Sequence, residues 1–136
     1  MDKTLRLDVV TPDRTLMSDE IESIIVPAAE GYLGVLYNHA PMIVGLFPGV
    51  VKYRKAGKNN YLSIGGGFME ISDNKVILLA DSAERPEEID VKRAEAAKDR
   101  AVTRLKEKPP GLDIERAELA LKRALARLKV IGYLQH

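Results

Sequence analysis

The sequence predicts an α+β protein: a β-sandwich over residues 1–84, followed by an antiparallel two-helix hairpin over residues 85–136. Three observations predict it. Eight of the ten glycines fall before residue 85, among short runs of Val, Ile and Leu. Residues 85–136 are instead rich in Ala, Arg, Lys, Glu and Leu. Charge divides at the same place, net −3 before it and +4 after it.

The strands are read in chain order. Leu5, Leu7 and Val9 alternate with Arg6 and Asp8, the pattern of a half-buried strand. Thr11-Pro12-Asp13 ends it with turn chemistry. Glu22 to Val26 is a second strand, and Pro27 is expected to stop its ladder. Gly31-Tyr32-Leu33-Gly34 punctuates the chain before Val35-Leu36, and Met42 to Leu46 is short and apolar. Val50 to Arg54 and Asn60 to Ile64 flank a polar link and predict a hairpin. Gly67 to Ile71 and Lys75 to Ala80 flank Ser72-Asp73-Asn74 and predict another. Strands this short and frequent point to a sandwich or barrel.

The helices follow from spacing. Ala94, Ala97, Ala101 and Leu105 recur at helical intervals, as do Ile114, Ala117, Leu121, Leu125 and Leu128. Lys108-Pro109-Pro110-Gly111 must break the helix between them, and so short a link makes the two antiparallel neighbours. Their apolar stripes are narrow and rich in alanine. Such a hairpin has little core of its own and must rely on the sandwich, a ligand or a partner. Asp90 and Asp113 each stand where a helix N-cap is expected, and Ile89 and Leu112 precede them as staple residues.

Composition excludes several functions. The 136 residues are 46% hydrophobic and 30% charged, a globular balance. A net charge of +1 gives no reason to expect nucleic acid as a partner. With no cysteine, disulfide scaffolds and thiolate metal sites are excluded. The opening Met1-Asp2-Lys3-Thr4-Leu5-Arg6 has no apolar run, so no signal peptide is expected. No stretch approaches the ~18 apolar residues of a membrane span, so a membrane would be reached through a partner.

Catalytic constellations are equally scarce. The histidines are His39 and the terminal His136, with no paired-ligand spacing, so no metal site is expected. His39 sits in Asn38-His39-Ala40-Pro41, where a turn or contact role outweighs catalysis because no partner is placed beside it. Gly65-Gly66-Gly67 lacks the spacing and the lysine of a phosphate loop and reads as a bulge or close backbone crossing. The arginines carry more. Arg93 and Arg100 share one helix face, and Arg123 and Arg127 share another. Folding the hairpin can bring all four guanidinium groups together, and such a cluster suits a polyphosphate. The alternative is two solvated faces laced with Glu95, Asp99 and Glu118.

These pieces resemble one family along nearly the whole chain, the ε subunits of bacterial F-type ATP synthases. Val9-Val10-Thr11-Pro12 resembles the family's opening strand and turn. Gly31-Tyr32-Leu33-Gly34-Val35-Leu36, then His39-Ala40-Pro41, resembles its Gly-Glu-Leu-Gly-(Ile/Val) … His-x-Pro signature. Gly66-Gly67-Phe68-Met69-Glu70-Ile71 resembles its Gly-Gly-Phe-Leu-Glu-Val strand, and Lys75-Val76 through Ala80-Asp81 and Ala83-Glu84 its last strand and exit. Tyr32 stands where the family usually has an acid, Tyr37 replaces a commoner Pro or small residue, and Gly65 replaces a common Ser.

The resemblance implies a non-catalytic rotor subunit of the central stalk, peripheral on the cytoplasmic face of the bacterial membrane. Its sandwich would bind the γ subunit and the c-subunit ring, with Tyr32, Gly34, His39 and Pro41 at subunit contacts. It would help couple proton translocation to ATP synthesis. Its hairpin would lie folded on the sandwich, or extend toward the α/β catalytic head and inhibit ATP hydrolysis. Ile89-Asp90-Val91-Lys92-Arg93-Ala94 fits the (Ile/Leu)-Asp-x-x-Arg-Ala motif of ATP-binding members, and Leu112 to Ala117 fits it a second time. Glu84, Arg100, Arg123 and Arg127 fall on positions those members use. The resemblance therefore implies ATP as a regulatory ligand at Glu84, Ile89, Asp90, Arg93, Ala94, Arg100, Arg123 and Arg127, with no catalytic cofactor. A free-standing ATP-sensing hairpin module, outside any rotary ATPase, is the alternative reading.

Overall fold

A computed structural model describes residues 3–134. The expectations that name Met1, Asp2 and His136 lie outside the described residues.

The strands are β1 (Leu5–Val10), β2 (Thr15–Ile21), β3 (Ser23–Ala28), β4 (Gly31–Leu36), β5 (Met42–Lys55), β6 (Lys58–Ser72), β7 (Lys75–Ala80) and β8 (Ala83–Glu84). They hydrogen-bond in the order β2-β1-β7-β6-β5-β3-β4, with β8 on β6. β1 lies parallel to β7, and every other pairing is antiparallel. The path folds over on itself as a sandwich around one core that joins Leu7, Leu16, Ile24, Val51, Leu62, Met69 and Leu78. An ion pair from Lys55 of β5 to Asp19 of β2, 3.0 Å, closes one rim.

Several element boundaries differ from the sequence reading, each for a physical reason. β2 was not foreseen; its Ser18-Asp19-Glu20 is a polar stretch that nonetheless pairs with Arg6 to Asp8 of β1 in unbroken register. The second expected strand is β3, and Pro27 lies inside it. Pro27 remains paired with Tyr32, while the ladder to β5 lapses over Val26 and Pro27, where a missing N–H costs little. Gly31 to Gly34 belongs to β4 and does not punctuate. Met42–Leu46 and Val50–Arg54 are one strand, β5, and Asn60–Ile64 and Gly67–Ile71 are one strand, β6. Pro48, Gly65 and Gly67 hold one register from end to end, with the ladder skipping Phe47 and Gly66.

Both expected hairpins form. Ala56-Gly57 and Asp73-Asn74 occupy two-residue turns with positive φ at both positions, the twist that suits a tight antiparallel hairpin. Gly67 is a close crossing: at φ 138° its missing Cβ would stand 2.1 Å from the Leu79 carbonyl oxygen.

A single 3₁₀ turn, Pro86–Glu88, leads to α1 (Val91–Glu107) and α2 (Ile114–Leu134). Asp90 Oδ1 accepts the Arg93 amide at 3.1 Å, and Asp113 Oδ1 accepts the Arg116 amide at the same distance. Lys108, in the left-handed region, ends α1. The hairpin is folded down. α2 packs on β5 and β6, and α1 packs on α2. A second apolar cluster seals this contact, joining Val50 of the sandwich to Ile89, Ala94, Ala126 and Val130. Tyr133 near the end of α2 stacks on Tyr61 of β6, with ring centroids 4.0 Å apart.

Candidate functional site at the hairpin–sandwich seam

The site grows from three local structures. The first is the β1–β2 turn. Buried Thr11 donates its amide to the Arg14 carbonyl (2.9 Å) and its hydroxyl to Asp13 (3.0 Å), which fixes the turn. The second is the turn from β7 to β8, where the Ser82 carbonyl accepts the Gly65 amide and the Gly66 carbonyl accepts the Asp81 amide, both at 2.9 Å. The third is the folded hairpin. Together they enclose a cavity of about 550 Å³, within the range of ligand pockets.

The sandwich contributes Thr11, Asp13, Arg14, Asp81, Ser82, Ala83 and Glu84 to its wall, and the linker contributes Glu88. α1 presents Ala94, Ala97, Arg93 and Arg100 below its cap Asp90, and α2 presents Arg127. The alanines leave room that longer side chains would fill. Four arginines and five carboxylates thus share the wall. Two pairs satisfy each other. Arg127 Nε donates to Glu84 Oε1 at 2.5 Å, tying α2 to β8. Arg14 meets Glu88 at 2.8 Å, and its guanidinium holds that carboxyl below the usual glutamate range. Among the described residues, Arg93 and Arg100 make no ion pair. Both are exposed, and free guanidinium groups on a cavity wall can meet an anion, although Asp13, Asp81 and Asp90 of the same wall also make no ion pair among the described residues.

Of the eight residues expected to hold ATP, six line this cavity: Glu84, Asp90, Arg93, Ala94, Arg100 and Arg127. Ile89 stands behind it, 9% exposed in the apolar cluster that seats α2. Arg123 is not on the wall; its side chain packs toward Gly65 and Ser82, where a Cβ on Gly65 would lie 3.2 Å from Arg123 Cδ. Thr11, Asp13, Arg14, Asp81, Ser82 and Glu88 are wall residues that sequence reasoning did not find. Their turns were legible as turns, but nothing local says that two turns ~70 residues apart face one helix.

The expected subunit contacts lie at two places. Tyr32, 60% exposed, is near the start of β4, and Gly34 is exposed farther along it. His39 and Pro41 follow the far end of β4, where the Asn38 amide donates to Asn74 Oδ1 at 2.6 Å and ties this loop to the β6–β7 turn. Near that loop Leu36, Tyr37, Met42 and Ile43 are all exposed apolar side chains. A further exposed pair, Phe68 and Leu79, are direct cross-strand neighbours on β6 and β7. No helix among the described residues is long and apolar enough to cross a membrane.

Fold and cavity together define a class: a small β-sandwich with a helical hairpin folded against it over a polar seam. Comparison with known proteins gives that class its family. A family described as ATP synthase, Delta/Epsilon chain, beta-sandwich domain matches residues 4–86, and its companion, the long alpha-helix domain, matches residues 87–132. An ATP synthase epsilon chain of Pelotomaculum thermopropionicum is 54% identical over 104 residues, covering 76% of this chain and 78% of that one. An ATP synthase epsilon chain of Desulforamulus reducens is 46% identical over 105 residues, covering 77% and 80%. A chain in the cryo-EM structure of the Euglena gracilis mitochondrial ATP synthase shares the fold, with a TM-score of 0.80 at 22% identity, covering 100% of this chain and 84% of that one. The chain belongs to the ATP synthase delta/epsilon family, among its epsilon chains. It is a non-catalytic subunit of ATP synthase.

Proposed function

We propose that this chain is a central-stalk rotor subunit whose folded hairpin is held by ATP, and whose extended hairpin inhibits ATP hydrolysis. The observation that carries the ligand reading is the seam cavity, with Arg93 and Arg100, which make no ion pair among the described residues, beside the Arg127–Glu84 pair. Its walls come from both the sandwich and the hairpin, so the site exists only while the hairpin is folded. A ligand that binds one of two states shifts the balance toward that state by its differential affinity. ATP here is a sensor ligand. The arginines take its phosphates, and Glu84 and Asp90 accept from its sugar or base.

The seal under α2 suits a switch. It rests on five buried apolar residues, two of them alanines, and one aromatic stack. Released, the hairpin would carry its net positive charge toward acidic surface on the α/β catalytic head. The sandwich would dock on the γ subunit and the c-subunit ring through its exposed apolar side chains, among them Ile43, Phe68 and Leu79. Related folds occur in ATP synthase central-stalk and c-ring structures, including one of Tetrahymena thermophila with a TM-score of 0.56 and 15% identity, covering 99% of this chain and 98% of that one. The subunit would sit on the cytoplasmic face of the bacterial membrane, reaching it through the complex, where proton flow is coupled to synthesis.

Calorimetric titration of the full chain with ATP tests the ligand reading. Saturable binding is expected, weakened about tenfold or more by Arg93→Ala or Arg100→Ala, the scale of a lost hydrogen bond to a charged group. No heat at millimolar ATP, with an unchanged melting temperature, would remove it.

A further inference from the structure

We infer that Arg14, on the β1–β2 turn, is an anion-binding residue of the seam cavity, so that a bound triphosphate ties the sandwich itself to the hairpin. The inference rests on the reading that this cavity takes ATP. Sequence spacing supplies four arginines from the two helices, of which Arg93, Arg100 and Arg127 line the cavity, while Arg123 lies against Gly65 and is not among the lining residues. The guanidinium that completes a set of four on the wall comes from the sandwich.

Arg14 is built for the exchange. Its carbonyl accepts the amide of Thr11 at 2.9 Å, which holds its backbone in the turn. Its side chain is 42% exposed and, among the described residues, pairs with Glu88 alone. Glu88 in turn is anchored elsewhere, since its Oε1 accepts the Arg85 amide at 2.8 Å while Oε2 meets Arg14. A phosphate entering the cavity competes with Glu88 Oε2 for Arg14. A triphosphate offers more charge than a single carboxylate, and a guanidinium can meet two of its oxygens at once. The pair with Glu88 keeps Arg14 at the wall.

The competition predicts opposite signs for the two partners. In ATP titrations of the full chain, Arg14→Ala weakens binding about tenfold, the scale of a hydrogen bond to a charged group. Glu88→Gln keeps the oxygen that accepts the Arg85 amide but releases Arg14, and tightens binding about twofold to fivefold, the scale of an exposed ion pair no longer broken. The double variant binds like Arg14→Ala alone. Circular dichroism melts check that each variant is folded. Unchanged affinity in Arg14→Ala would overturn the inference and leave the ATP reading intact. Equal weakening by both single variants would show that the pair only braces the linker, and would also overturn it. A tightening by Glu88→Gln that persists in the double variant would assign the gain to general charge and count against Arg14. Absence of ATP binding in the parent chain would sink both readings together.

Discussion

At the residue scale, backbone geometry and single charges make sharp claims. Gly67 lies at φ 138° with the Leu79 carbonyl 2.1 Å from where a Cβ would be, so Gly67→Ala has no room and no comfortable backbone. Strain of this kind costs about 1–3 kcal/mol or more, and a denaturant melt should show it. Gly34→Ala is the control, because nothing stands within 4 Å of its added Cβ; its melt should match the parent. The Arg14–Glu88 pair gives a pH signature. Its guanidinium lowers the Glu88 carboxyl. The pair's stability is therefore fully present above the ordinary glutamate pKa of about 4.3 and lost as pH falls through the lower folded value. Melting temperatures of the parent and Glu88→Gln should differ by a constant amount above about pH 5.5 and converge as pH falls through the lowered folded value of Glu88. A difference that persists to low pH would contradict that assignment.

At the scale of elements, alternation and capping were readable, and long-range register was not. Leu5, Leu7 and Val9 alternate inward as their pattern required. Asp90 and Asp113 cap the helices because the carboxylate and the first-turn amides are neighbours in the chain. Asp90→Ala should cost about 1 kcal/mol, read as reduced helicity and a lower melting temperature. The reading at Pro27 held for the ladder to β5 and failed for the ladder to β4, and the reading at Gly31–Gly34 failed, because local breakers were treated as decisive. In both, pairing with β3 or β4 neighbours overrides the local preference. The halves of β5 and β6 were likewise read apart, because Pro48 and the glycines look like ends until the partner strand is known. The candidate site was legible in the same way. The helix-borne motif came from the family resemblance, and Arg93, Arg100 and Arg127 were placed on helix faces by their spacing, whereas Arg14, Asp81 and Ser82 reach the cavity only through the folding of the sheet.

At the scale of the whole molecule, the hairpin's attachment is the weak joint. Val130 is fully buried where α2 meets the sandwich. Val130→Asp places a charge in that contact without touching the sandwich core, and should free the hairpin. Limited proteolysis should then cut within residues 91–134 while residues 3–84 stay protected. Loss of protection throughout would mean that the two parts fold as one cooperative unit. The central claim is that ATP holds the hairpin down through the seam cavity. Amide hydrogen exchange of the full chain with and without saturating ATP tests it most directly. The account predicts slowed exchange in α1, in α2 and in the Thr11–Arg14 turn, with the remote β5–β6 turn at Ala56-Gly57 unchanged. Equal exchange rates in the hairpin with and without ATP would contradict it.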